Sequence, residues 1–125
     1  MHILIDNKNS APIYDQIYTQ IKNQIISDKL KEDDPLPSIR SLAKDLRISV
    51  ITTKRAYDEL EKEGYIYTVQ GKGCYVAPRN AELIREENLK KIEAHIEQIA
   101  QLAANGNISR AEIMEMMAFS LEDTK

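Results

Sequence analysis

The sequence predicts a mainly α chain (α+β), with one short β-hairpin set among its helices. Three observations carry that reading. Isoleucine recurs every fourth residue at Ile13, Ile17, Ile21 and Ile25, the period of a helix with one buried face. Residues 49–63, SVITTKRAYDELEKE, keep a helical apolar period after a serine suited to cap it. Residues 65–78, YIYTVQGKGCYVAP, alternate on either side of Gln70-Gly71-Lys72-Gly73, as a two-stranded hairpin does.

The elements follow in order. A first helix is expected from about Pro12 to Ser27, because proline suits an early helical position. Tyr14, Tyr18 and Ile26 flank its isoleucine stripe. Glu32-Asp33-Asp34-Pro35-Leu36-Pro37 has the composition of a connector. Ser38 to Leu46 fits a short second helix, with Ile39, Leu42, Ala43 and Leu46 on its apolar face. Arg47-Ile48 is a brief turn. On the third helix, steps of about 100° place Thr53, Ala56, Tyr57 and Leu60 on one side. Ile51, Lys54, Arg55 and Asp58 fall on the other. Gly64 is expected to end this helix as a left-handed residue.

A tail follows Pro78. Ala81 to Asn105 forms a long helix in which Leu89, Ile92, Ile96, Ile99 and Ala103 step by three and four residues, a heptad seam of about two repeats. Gly106 is expected to terminate it. A final helix begins at Ser109, where Ser109 and Glu112 make a capping box and Ile108 with Ile113 a hydrophobic staple. Met114, Met117, Ala118 and Leu121 lie along its apolar side. Two such helices are too small to bury a core alone. They require the first domain, another subunit, or both.

Composition narrows the function. The chain has 125 residues, 42% hydrophobic and 30% charged, as soluble globular domains do. No stretch approaches the roughly 18 apolar residues of a membrane span. The N-terminus lacks the basic-then-apolar run of a secretory signal, and the one cysteine, Cys74, excludes an internal disulfide. A cytoplasmic location with no membrane partner is expected. The net charge is −3, yet residues 38–55 carry Arg40, Lys44, Arg47, Lys54 and Arg55 against the single acid Asp45. A compact basic patch is an electrostatic footprint even on an acidic protein.

The third helix sharpens this. Its bases come early and its acids, Asp58, Glu59, Glu61 and Glu63, come late, against the helix dipole. An anion met by the helix N-terminus explains that order. A helix, a short helix, a tight turn, a polar-fronted helix and a glycine hairpin make a winged helix-turn-helix. That motif sends its last helix N-terminus first into the major groove of double-stranded DNA. Ser49 caps the helix and can touch phosphate; Thr52 can donate to phosphate; Thr53 leans toward the core. Ile51 faces outward, as a residue meeting a thymine methyl would. Arg40 and Lys44, four residues apart, can lie over one strand. Lys72 stands at the wing tip, where glycines let backbone approach closely.

Residues 12–78 resemble the GntR family of bacterial transcriptional regulators. The matching motifs are Pro12-Ile-Tyr-x-Gln-Ile17, Leu36-Pro-Ser-Ile-Arg-Ser-Leu-Ala43, Ser49-x-x-Thr-Thr-Lys-Arg-Ala-Tyr57, Leu60-Glu-x-Glu-Gly-Tyr-Ile66 and Gln70-Gly-x-Gly73. The short tail is similar to that of the YtrA subfamily, whose tails serve dimerisation. The resemblance implies a DNA-binding domain over 1–78 and a dimerisation and effector-response tail over 79–125. It implies DNA contacts from Arg40, from Ser49, Val50, Ile51, Thr52 and Lys54, and from Gln70, Gly71 and Lys72; Ser38, Lys44, Thr53 and Gly73 beside them complete the candidate DNA-binding set. Many relatives carry arginine at the position of Val50, which cannot hydrogen-bond a base. Leu89, Ile92, Ile96, Ile99, Ala103, Ile113, Met117 and Leu121 are the expected dimer contacts.

The expected function is therefore a homodimeric repressor of a palindromic operator, with a transporter operon as the subfamily's implied target. A small-molecule effector is compatible with the tail, although no arginine clamp or metal cluster names one. The rival reading is a winged helix used only for protein interaction; such modules usually lack a basic, polar-fronted third helix. Enzyme activity and cofactors are not expected. His2 and His95 lack ligand-spaced partners, Cys74 lacks a positioned histidine, and Gly71-Lys72-Gly73 is too short for a phosphate-cradling loop.

Overall fold

The computed structural model describes residues 1–122. Its elements are α1 (Ile13–Ile26), α2 (Ile39–Leu46), α3 (Val50–Lys62), β1 (Ile66–Val69), β2 (Gly73–Val76), α4 (Ala81–Asn105) and α5 (Arg110–Glu122). The chain divides into two compact units, Met1–Asn80 and a second beginning at Ala81.

The first unit is organised around α1 and α3, which pack together extensively. Ile17 and Ile21 of α1 are fully buried, as are Thr53, Ala56 and Leu60 of α3. Ile25, Ile26, Leu42, Ala43, Tyr57 and Ile66 join this core, as do Ile3, Leu30, Leu36, Tyr65 and Val76. Each such apolar side chain contributes about 1.5–3 kcal/mol on burial. The expected stripes are therefore the ones that meet.

The helix ends share one device. Asp28, Arg47 and Asn107 adopt left-handed backbone at φ 66°, 57° and 53°, as does Gly64 at φ 88°. After α3, the Tyr65 amide donates to the Leu60 carbonyl at 2.9 Å and the Gly64 amide to Glu61 at 3.1 Å, the paired bonds of a Schellman motif. Ile48 repeats the longer bond to Ala43 at 3.0 Å after α2, but with Arg47 in the left-handed position. A side chain there costs about 1–2 kcal/mol, so the turn between α2 and α3 is set by the surrounding bonds. α4 ends at Asn105, just before Gly106, as expected. Asn107, not Gly106, takes the left-handed position, and the Ile108 amide closes onto Ala103 at 2.9 Å.

The hairpin pairs β1 with β2 antiparallel, Ile66 opposite Val76 and Val69 opposite Gly73. Gly73 thus belongs to β2, and the tip is Gln70-Gly71-Lys72. The expected connector contributes more than a link. The Leu36 amide donates to Cys74 and the Val76 amide to Asp34, each at 2.9 Å, and Asp33 donates to Val76 at 2.9 Å. Residues 33–36 therefore line the free edge of β2, where Pro35 bridges Tyr75. Proline is tolerated at such an edge because no ladder bond needs its missing N–H.

The N-terminal segment lies along α1, held by three glutamines. The Gln24 amide donates to the His2 carbonyl at 2.8 Å. Gln20 accepts from the Leu4 amide at 2.9 Å and donates back to the Leu4 carbonyl at 2.6 Å. Gln16 does the same for Asp6 at 2.9 and 3.0 Å. Four helical residues advance about 6 Å and two extended residues about 6.7 Å, so the spacings match. Gln16 is accordingly buried and satisfied.

In the second unit α4 and α5 bury no residue among those described. The Glu112 amide donates to the Ser109 hydroxyl at 3.1 Å, as the capping box requires. Ile99, Leu102, Ala103, Ile108, Ile113, Met116, Met117 and Ser120 line an open apolar groove of about 350 Å³.

Two substitutions test this account by urea denaturation. Ile21→Ala should lower stability by about 2–5 kcal/mol. Arg47→Gly, which removes a left-handed side chain, should raise it by about 0.5–1 kcal/mol.

Candidate nucleic-acid interface

The site is assembled from the turn outward. Ser49 stands in extended backbone at φ −71°, ψ 150° and its hydroxyl accepts from the Thr52 amide at 3.0 Å. The same hydroxyl donates to Thr52 Oγ1 at 2.7 Å. Ser38 caps α2 likewise, accepting from the Ser41 amide at 3.0 Å. A helix leaves its first amides without intrahelical partners. Ser49 satisfies that of Thr52, which leaves the amides of Val50 and Ile51 to solvent or a ligand. Tyr57 ties α3 to the segment that leads into α2, its hydroxyl donating to the Pro37 carbonyl at 2.7 Å. Burial is the main reason its phenol is held well above the usual tyrosine range.

Side chains at the front of α3 divide into two kinds. Val50 and Ile51 are exposed, Ile51 by 81%. The polar ones are engaged within the chain. Lys54 reaches Asp58 at 2.7 Å, and the hydrogen bond and charge of that carboxylate raise the lysine above its ordinary range. Arg55 does not extend beside Lys54 toward the helix front. Its guanidinium lies 3.7 Å from the centre of the Tyr14 ring on α1, a cation–π contact that braces α1 against α3.

Thr53 is corrected as a DNA-contacting candidate. It is fully buried, and its hydroxyl donates to the Ser49 carbonyl at 3.1 Å. It supports the helix front from within. The remaining candidates on α2 and α3, namely Ser38, Arg40, Lys44, Ser49, Val50, Ile51 and Lys54, are exposed, and Thr52 is half-buried. Arg47, exposed in the turn between these helices, was visible in the sequence only as part of the basic patch.

At the wing, Gln70, Gly71, Lys72 and Gly73 are exposed. Gly71 has φ 80°, and the Lys72 amide closes the tip onto Val69 at 2.9 Å. The hairpin is fastened to its surroundings. Thr68 hydrogen-bonds Glu61 of α3, and the Tyr67 hydroxyl donates to Asp33 at 2.7 Å. That bond, more than burial, raises the Tyr67 phenol above its ordinary range. Tyr67 and Tyr75 stack at 5.6 Å between ring centres.

A capped helix pair joined by a tight turn, with a fastened hairpin behind it, defines a winged helix-turn-helix protein. Residues 13–76 match the model of the bacterial regulatory proteins of the gntR family. The chain belongs to that family and is a DNA-binding transcriptional regulator. It is 34% identical over 114 residues to the HTH-type transcriptional repressor YtrA of Bacillus subtilis, covering 91% of this chain and 85% of that protein. A solved YtrA from Sulfolobus acidocaldarius, a GntR-family transcription factor, aligns over 97% of both chains at 33% identity and a TM-score of 0.56. The DNA-binding domain of AraR, solved in complex with operator ORX1, covers 62% of this chain and 96% of its own at 29% identity and a TM-score of 0.54.

Thr53→Val should cost about 1 kcal/mol of stability through the lost hydrogen bond, measured by thermal melting. Duplex affinity per folded molecule should stay unchanged. Ser49→Ala should cost a similar amount as a lost cap.

Proposed function

We propose that the chain is a cytoplasmic, homodimeric repressor that binds an inverted-repeat operator in double-stranded DNA. Residues 1–78 bind the duplex and residues 79–125 pair the subunits. Ser38, Arg40, Lys44, Ser49, Thr52 and Lys54 meet phosphate and groove edges, with Val50 and Ile51 at the bases. Gln70, Gly71, Lys72 and Gly73 meet the flanking backbone from the wing. The named repressor activity of the Bacillus subtilis relative and the operator-bound AraR domain support this reading. No helix among the described residues is long and apolar enough to cross a membrane.

The dimer rests on one observation. Leu89, Ile92 and Ile96 are 45%, 51% and 53% exposed along one helix, and they continue into Ile99 and Ala103. On α5, Met114, Met116, Phe119 and Leu121 are also exposed, with Met117 beside them. Apolar residues around more than one side of a helix call for cover, and a heptad seam is covered by a second copy. Two subunits joined there would set their α3 helices one or more helical turns apart, about 34 Å per turn. The groove between α4 and α5, apolar and lined in part by Ile113 and Met117, is the place in the tail for a small apolar effector. Such an effector would act by binding two states of the dimer unequally. An adjacent transporter operon is the proposed target.

Binding to a duplex carrying the selected operator should weaken steeply with salt. Arg40→Ala and Lys44→Ala should each reduce the slope by about one counterion and leave stability within about 0.5 kcal/mol. Ile96→Glu should shift sedimentation from dimer to monomer and reduce operator affinity. A wild-type monomer bound to the operator would refute the dimer.

A further inference from the structure

We infer that this regulator recognises its operator through the 5-methyl groups of thymine, held by Val50 and Ile51, rather than through hydrogen bonds to base edges. The inference rests on the proposed duplex binding by α3 and names what that helix reads.

The front of α3 carries the argument. Its first two residues are apolar and exposed, Val50 by 41% and Ile51 by 81%. They follow the cap directly, so they occupy the leading turn of a helix that enters the major groove N-terminus first. The polar side chains behind them have partners within the free chain, Lys54 through a solvent-exposed pair that a phosphate can replace. The Ser49 hydroxyl accepts from the Thr52 amide at 3.0 Å and donates to the Thr52 hydroxyl at 2.7 Å. Lys54 is paired with Asp58 at 2.7 Å, and the Arg55 guanidinium lies against Tyr14 at 3.7 Å.

Bidentate reading of guanine uses arginine or lysine aimed at O6 and N7; bidentate reading of adenine uses asparagine or glutamine. The leading turn holds neither pair. Thymine alone among the four bases presents a methyl group in the major groove, and two branched aliphatic side chains are its chemical complement. The Thr52 hydroxyl keeps its own proton to donate, which suits a phosphate oxygen. The basic residues of α2, Arg40 and Lys44, supply affinity and register without sequence preference.

The test uses the full chain and an operator half-site selected from a random duplex pool. The selected half-site should hold A·T pairs at adjacent steps under the front of α3. Replacing thymidine by deoxyuridine at those steps removes only the methyl groups. Affinity should fall about fourfold for each methyl removed, the fold-change of one buried methyl-sized group, while the salt slope stays constant. Deoxyuridine in the flanking duplex should have no effect. Val50→Ala with Ile51→Ala, both exposed helix positions that tolerate alanine, should abolish the difference between thymine and uracil operators. Equal affinity for the two operators, with the salt slope retained, would overturn this inference and leave duplex binding standing. Absence of salt-sensitive binding to any duplex would overturn both.

Discussion

The fit of α1 against α3 governs the rest of the first unit. Ile17 and Ile21 on one side, and Ala56 and Leu60 on the other, leave no exposed surface between them. With that face of α3 buried against α1, its opposite face, which carries Ile51, Lys54 and Asp58, is left to solvent or a partner. Arg55 over Tyr14 and the Tyr57 hydroxyl on the Pro37 carbonyl then fix the rotation of α3. The orientation of the recognition surface is thus a by-product of core packing.

The charge order along α3 looks unfavourable when the helix is considered alone. No acid sits in its first turn, where the dipole would favour one, and Lys54 precedes Asp58, the less favourable direction for such a pair. Proteins violate local preferences at functional sites and compensate elsewhere. Here the compensation is internal. Asp58 pairs with Lys54 in the free protein, and Arg55 lies against the ring of Tyr14, so each early base of the helix has a partner within the chain.

Much of the fold was legible because it follows simple periods. The spacing of Thr53, Ala56, Tyr57 and Leu60 named the buried face of α3 residue by residue, and Ser49 marked its start. The same wheel leaned Thr53 toward the core while its place at the front of the helix kept it among the DNA-binding candidates, and packing decided for the core. What escaped had no period to reveal it. Pro35 and Pro37 look like breakers, yet residues 33–36 edge the sheet, because an edge position needs fewer backbone donors. α4 stops before Gly106 as its sequence signals, but the left-handed position two residues past the helix end falls to an asparagine, the other residue that visits this region readily. Within the site, exposure of Val50 and Ile51 was legible; the internal engagement of Lys54 and Arg55 was not, since it depends on which neighbour lies within reach.

The glutamines of α1 carry a consequence for the first residues of the chain. Gln20 and Gln16 grip both backbone groups of Leu4 and Asp6 and Gln24 holds the carbonyl of His2, so the segment is bound much as a strand is bound by its neighbour, with a helix in the neighbour's place. Strand register has a period of two. Adding or deleting one residue between His2 and Asp6 would leave every glutamine able to find a backbone partner, yet it would turn buried Ile3 outward and bring the position of exposed Leu4 inward. The opening of this polypeptide is therefore tolerant of side-chain exchange at even positions and intolerant of a change in count.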